Sequence, residues 1–156
     1  MLAIRRADLS DAAHVRSIEA YVAGHPQGSA FHRPAWSRAV EQGCGQTAHY
    51  LVAGGEGRLL GALPLTEVHS PLFGRALASA GFAVGGGPIA DDTSVVDALA
   101  DAAWNLAGRL SCPSLELRGG TLPSTAGWHV EQGTYAGFAR TLAADDEAEL
   151  LAIPRK

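Results

Sequence analysis

The sequence predicts an α+β fold: a mixed, mostly antiparallel sheet flanked by helices. Two observations carry that prediction. Val96, Leu99, Ala103, Leu106 and Leu110 recur at three- and four-residue steps, giving one long amphipathic helix. Before it, short apolar runs separated by glycine-rich turns crowd between His49 and Ala80, the pattern of strands joined by hairpins. With one helical region ahead of the strands and another after them, the order is that of an α+β domain rather than a regular strand–helix alternation.

The elements follow in turn. Leu2 to Arg6 is a short apolar strand, after which Asp8 to Ser10 offer caps for a helix carrying Val15, Ile18 and Val22. Gly24-His25-Pro26-Gln27-Gly28 breaks that helix. A second helix opens at Pro34, which suits a first helical position, and runs through Trp36 and Val40 to Gly43. His49 to Ala53 and Arg58 to Val68 read as strands joined at Gly54-Gly55-Glu56-Gly57. Pro64 lacks a ladder donor, so a bulge or an edge is expected there. Arg75 to Ala80 is a third strand. The glycine-rich loop Gly85-Gly86-Gly87-Pro88-Ile89-Ala90-Asp91-Asp92 then leads into the long helix, which starts near Asp92 or Thr93. Ser114 to Arg118 reads as a buried strand and Tyr135 to Leu142 as another. A last helix opens at Asp145 to Glu147.

Composition bounds the function. The chain has 156 residues, 47% of them hydrophobic, enough for one domain with a real core. A formal charge of −4 argues against a general nucleic-acid binder. No apolar run reaches the roughly 18 residues of a membrane span, and Met1 to Arg6 lack the apolar core of a signal peptide. A cytoplasmic location is expected. Cys44 and Cys112 show no metal or redox spacing and read as two buried free thiols.

Five segments carry a family resemblance. Phe31-His32-Arg33-Pro34-Ala35-Trp36 resembles a "phenylalanine, two residues, proline, one residue, tryptophan" opening. Gly61-Ala62-Leu63-Pro64-Leu65 resembles a "GxLPL" strand, and Phe73 to Ser79 the "lfGr-lvS" segment after it. Gly86-Gly87-Pro88-Ile89-Ala90-Asp91 resembles a "GGP" or "RGPV-D" loop, and Leu115-Glu116-Leu117-Arg118 an "lElR" strand. Their order resembles FemAB-like proteins of the exosortase-associated, PEP-CTERM type, within the GNAT acyltransferase superfamily, and the order of elements is that of the GNAT fold. The resemblance covers Phe31 to Arg118. Such proteins carry two GNAT-like modules, of which residues 1–156 resemble the first. The chain is therefore expected to be a single module, as a fragment, an engineered truncation or a natural half-length form.

The resemblance implies transfer of an acyl or aminoacyl group to an amine of a cell-envelope substrate, such as a peptidoglycan precursor. It also implies a second GNAT-like module as partner, and an aminoacyl-tRNA donor reached through that module. No resident cofactor and no metal are expected. That chemistry needs a neutral amine, a positioned carbonyl and oxyanion donors. Asp91 stands at the family's acidic position and orients or deprotonates the amine, unless Asp91, Asp92 and Thr93 only cap the helix. Gly86 and Gly87, with Gly85, let substrate approach the backbone, or merely satisfy positive φ angles. Trp36 resembles the family tryptophan of the precursor cleft, with Arg33 or Arg38 as phosphate contacts; plain core packing is the competing reading of Trp36. Arg118 reaches the cleft or forms a surface ion pair. His32 lies inside the resembling motif and joins the candidate substrate contacts. Acetyl-CoA-dependent GNAT enzymes carry an Arg/Gln-x-x-Gly-x-Gly/Ala pyrophosphate loop, whereas Gly81 to Asp92 has no arginine or glutamine and ends in acid. Conventional coenzyme A binding is therefore not expected. A non-catalytic GNAT-fold binding module and a conventional acetyl-CoA-dependent acetyltransferase are the alternatives.

Overall fold

Residues 2–55, 57–72, 74–134, 136–138 and 140–153 are described by a computed structural model of the chain. The elements are β1 (Ala3–Arg6), α1 (Ala12–Gly24), α2 (Pro34–Cys44), β2 (Thr47–Gly55), β3 (Arg58–Ser70), β4 (Gly74–Ser79), β5 (Ile89–Ala90), α3 (Thr93–Arg109), β6 (Leu115–Leu117) and α4 (Asp146–Leu151). Contacts divide the chain into two units, Met1–Ala126 and Gly127–Lys156.

In the first unit the sheet order is β1-β2-β3-β4-β6, with β5 also on β3. Every pairing is antiparallel except that of β4 with β6, the two strands that α3 connects. Side chains alternate across β2 and β3, so each strand buries both faces. Leu51, Ala53, Leu63 and Leu65 join Val95, Leu99 and Leu106 of α3 in one cluster. Tyr50, Val52 and Ala62 join Ile18 and Val22 of α1 in the other. Each fully buried leucine here contributes about 1.5–3 kcal/mol. Gly61 lets α3 lie close, since a Cβ there would stand 2.8 Å from Val95 Cγ1 and 2.9 Å from Leu99 Cδ1.

The sheet contains an interrupted strand. Thr66 of β3 faces Ala78 of β4, so the same register continued would set residue 82 against Ala62. Ile89 stands there instead, seven residues later. Thus β4 and β5 share one lane along β3, and the glycine-rich loop is the excursion between them. Pro64 lies opposite Tyr50, within a stretch, residues 63–65, that has no strand partner on the β4/β5 side. Of the bulge or edge expected at Pro64, the bulge falls elsewhere, between Ala53 and Gly54. The residue without an N–H stands inside the opening of the ladder, an edge-like position on that side.

The excursion is braced from three sides. Its Gly87 N–H donates to the Arg118 carbonyl at 2.8 Å, and a Cβ on Gly87 would lie 1.8 Å from the Gly119 oxygen. Trp36 Nε1 donates to the Gly81 carbonyl at 3.2 Å. His32, in a single 3₁₀ turn, is buried, and its Nε2 lies 2.9 Å from the Gly87 carbonyl. A carbonyl only accepts, so Nε2 carries the proton, and Nδ1 accepts from the Ser29 N–H and hydroxyl.

Most helix signals are used as read. Pro34 opens α2, Asp92 caps α3 by accepting from the Val95 N–H at 3.1 Å, and Asp145 caps α4. The cap of α1 is Asp11 rather than a residue of 8–10. β6 is half-buried rather than buried. In the second unit, Glu149 of α4 holds Arg140 and accepts from the Ala143 N–H at 2.9 Å. The strand expected over Tyr135 to Leu142 is not formed among the described residues; Tyr135 and Ala139 themselves lie outside them. Phe138, one of its apolar residues, is 95% exposed. The expectation of two buried thiols is also corrected. Cys112 is buried but Cys44, at the last position of α2, is exposed; both are free.

Two measurements follow from this packing. Gly87→Ala is expected to destabilise the chain by about 1–3 kcal/mol, because backbone must move to admit the methyl. Gly43→Ala, in α2 with open space around it, is expected to stabilise by about 0.5–1 kcal/mol. Urea unfolding of the two variants checks both signs.

Burial also holds two histidines, His32 and His49, below the ordinary histidine range; Arg6 adds to the effect at His49, where Glu67 opposes it. A base with a lowered folded pKa binds fewer protons when folded than when unfolded. Stability is then complete above the unfolded value of about 6.5 and is lost as pH falls below it. Urea midpoints should therefore drop between about pH 7.5 and 5.5, and His32→Gln should flatten that slope. A profile identical in both proteins would contradict the assignment to His32.

Candidate active site

The acidic end of the excursion divides its work between two neighbours. Asp92 Oδ1 accepts from the Val95 N–H and from the Ser94 hydroxyl, and these bonds hold its carboxyl below the usual range. Asp91 takes no part in that cap. Its backbone N–H donates to the Leu60 carbonyl at 2.9 Å, which keeps it on the β3 lane. Its side chain, 28% exposed, turns to α1 and to the start of β3. There Tyr21 Oη donates to Asp91 Oδ1 at 3.0 Å, and Arg58 Nη2 donates to Oδ2 at 2.5 Å.

Tyr21 packs on His25, ring centroids 5.6 Å apart. His25 Nε2 donates to the Ala90 carbonyl at 3.2 Å, so its Nδ1 accepts from the Gln27 N–H at 3.1 Å. Both nitrogens are occupied, and the ring serves as a wall. Desolvation, then the Asp91 bond, raises the Tyr21 hydroxyl above the ordinary tyrosine value, so it remains a donor. His25, Gln27, Arg58, Ala90 and Asp91 line a cleft of about 710 Å³ with Asp92, Thr93, Val96 and Thr121. Thr121 comes from the segment after β6, which is tied down twice: its hydroxyl donates to Gln27 Oε1 at 3.3 Å, and Ser124 donates to Asp97 through N–H (2.7 Å) and hydroxyl (2.5 Å).

The chemistry available is that of a carboxylate in a polar cleft. A cation entering beside Asp91 would have to displace the guanidinium of Arg58, whose side chain is 74% exposed, so the pair it breaks is a weak one. Tyr21 keeps the carboxylate oriented meanwhile.

Of the candidate catalytic and substrate-binding residues read from the sequence, Asp91 alone lines this cleft. His32, Trp36, Gly86 and Gly87 lie together in the brace. Trp36 is half-buried, with Phe31 edge-on at 4.8 Å between centroids, and Gly86 has φ 104° with a Cβ position 2.9 Å from that of Ala80. Arg33 pairs with Glu19 at 3.5 Å, and Arg38 donates to the Leu9 carbonyl. Arg118 grips Glu116 through two bonds of 2.9 Å and donates a third to the Ala83 carbonyl at 3.2 Å, so a guanidinium stands against the excursion. Sequence reasoning missed Tyr21, His25, Gln27, Arg58 and Thr121. Only Tyr21 and His25 leave a local trace, as an aromatic pair four residues apart at a helix end.

Among the described residues no group of three or more histidine, cysteine, aspartate or glutamate side chains is placed to hold a metal ion. No helix among them is long and apolar enough to cross a membrane.

The sequence matches no protein-family model and no curated protein. Solved structures do match. One is a ribosomal-protein-alanine N-acetyltransferase from Brucella melitensis biovar Abortus 2308, at TM-score 0.53 and 17% identity, covering 87% of this chain and 100% of that one. Another is a predicted acetyltransferase from Clostridium acetobutylicum, solved with acetyl-CoA, at TM-score 0.54 and 13% identity, covering 89% of this chain and 96% of that one. At these identities the likeness establishes the architecture: the chain has the α+β fold of the GNAT acetyltransferases, as its order of elements led one to expect.

Proposed function

We propose that this chain is an N-acyltransferase module whose cleft beside Asp91 receives the acceptor amine. The observation that supports this most is the carboxylate itself. It stands clear of the helix cap, and among the described residues only an exposed arginine and a tyrosine hydroxyl hold its side chain. An ammonium bound there gives up a proton, with Asp91 as the acceptor, and the neutral nitrogen attacks the acyl carbonyl. The new N–C bond forms as the donor's leaving group departs.

The donor is an acyl thioester in the first instance. The Clostridium structure with acetyl-CoA supports this, as does the Arg118 guanidinium, a cation that the glycine-rich loop lacks in its own sequence. This departs from the expectation that coenzyme A is not bound. The finer reading rests on the five ordered segments: a FemAB-like module acting on a cell-envelope amine, with a second GNAT-like module and an aminoacyl-tRNA donor. A binding module without turnover is the competing reading, favoured by Arg58 already occupying Asp91.

Calorimetry with acetyl-CoA, followed by a mass-spectrometric screen of acetyl transfer to putrescine, glycinamide and a lysine-containing peptidoglycan stem peptide, tests the proposal. Micromolar binding and turnover of at least one amine are expected. Asp91→Asn should lower kcat/KM by at least about tenfold while leaving acetyl-CoA affinity within about twofold. Acetyl-CoA binding without any turnover would favour the binding module. No acetyl-CoA binding at all would overturn the thioester donor.

A further inference from the structure

Arg58 faces two clefts. On its other side lies a smaller one of about 190 Å³, lined by Arg5, Ser17, Gly54, Gly55, Gly57, Arg58 and Leu59. We propose that this second cleft is an oxyanion subsite, taking a phosphate or carboxylate group. The inference goes beyond the transfer reaction, since it rests on ion binding alone.

Charge is the first argument. Two guanidinium groups line the cleft and no carboxylate does, among the described residues. Each guanidinium has five N–H donors. Arg5 is seen to spend one on His14 Nε2 at 3.3 Å, and Arg58 one on Asp91. Most of both forks is therefore open to a planar or tetrahedral oxyanion, which such forks bind through paired N–H bonds.

Backbone shape is the second. The register shift between Ala53 and Gly54 loosens the ladder where the hairpin meets the cleft. Gly54 admits no side chain, since a Cβ would stand 2.6 Å from the Arg58 carbonyl oxygen, and Gly57 has φ 80°. With no side chain at Gly54, Gly55 or Gly57, these residues line the cleft with backbone alone, and Ser17 of α1 adds an exposed hydroxyl. The volume is about six times a water molecule's share of the liquid, room for one oxyanion together with water.

The test uses the ¹⁵N-labelled chain, titrated with inorganic phosphate and separately with acetate, against sodium chloride at matched ionic strength. Saturable amide shifts at Gly54, Gly55, Gly57 and Leu59 are expected. Arg5→Gln should weaken phosphate binding at least tenfold and Ser17→Ala a few-fold. Arg109→Gln, an exposed arginine on α3, should leave binding within twofold. Saturation by phosphate but not by acetate assigns the subsite to phosphate groups, and the reverse to carboxylates. Absence of saturable shifts at the hairpin, or equal weakening by Arg5→Gln and Arg109→Gln, overturns the proposal. Because acyl transfer is not measured, failure here leaves the acceptor reading untouched, and failure of that reading leaves this one standing.

Discussion

One lane of the sheet governs the rest of the molecule: the edge of β3 that takes β4 along one stretch and β5 along another. Both pieces must keep antiparallel register with the same strand, so the seven surplus residues between them have to leave the sheet. The excursion needs glycine where backbones meet, as at Gly87 against Gly119. It needs partners for its carbonyls, which Trp36, His32 and Arg118 supply. When the chain returns as β5, the position of Asp91 is already fixed, because its N–H completes the bond to Leu60. The candidate site is a consequence of strand register before it is a matter of side chains.

That register also explains why two adjacent acids have different duties. Asp92 is the first residue free of the β3 lane and turns back onto the Val95 amide, as an N-cap must. Asp91 is still on the lane, so its side chain points across to α1 and the start of β3. Tyr21 and Arg58 then decide what it does. A carboxylate bonded to a hydroxyl and an exposed guanidinium stays accessible to a competing cation, whereas one spent on helix amides does not. The separation of cap from cleft residue is the strongest structural support for reading this GNAT fold as an amine-handling one.

Much of the fold was legible because its signals are local. The α3 stripe from Val96 to Leu106, Pro34 at the head of α2 and the acidic start of α4 each lie within one element, and each was read correctly. Failures came where pairing or packing is non-local. Residues 135–142 read as a strand, yet none forms among the described ones, and Cys44 is apolar in character yet ends its helix in solvent. β5 is two residues long and exists only because β3 has a vacant stretch. The site was half legible for the same reason. Asp91 could be singled out from the glycine-rich loop, but Tyr21 lies 70 residues away in sequence and Arg58 33, and nothing in either segment announces the meeting. His32 and Trp36 were legible as a motif, and the structure sets both in the brace of the loop.

The central claim, that Asp91 takes no part in the helix cap while Asp92 carries it, is tested most directly by amide hydrogen exchange at Val95. Asp92→Ala should speed exchange of that amide several-fold by removing its acceptor, and Asp91→Ala should leave it unchanged. Equal acceleration in both variants would make Asp91 part of the cap and contradict the account.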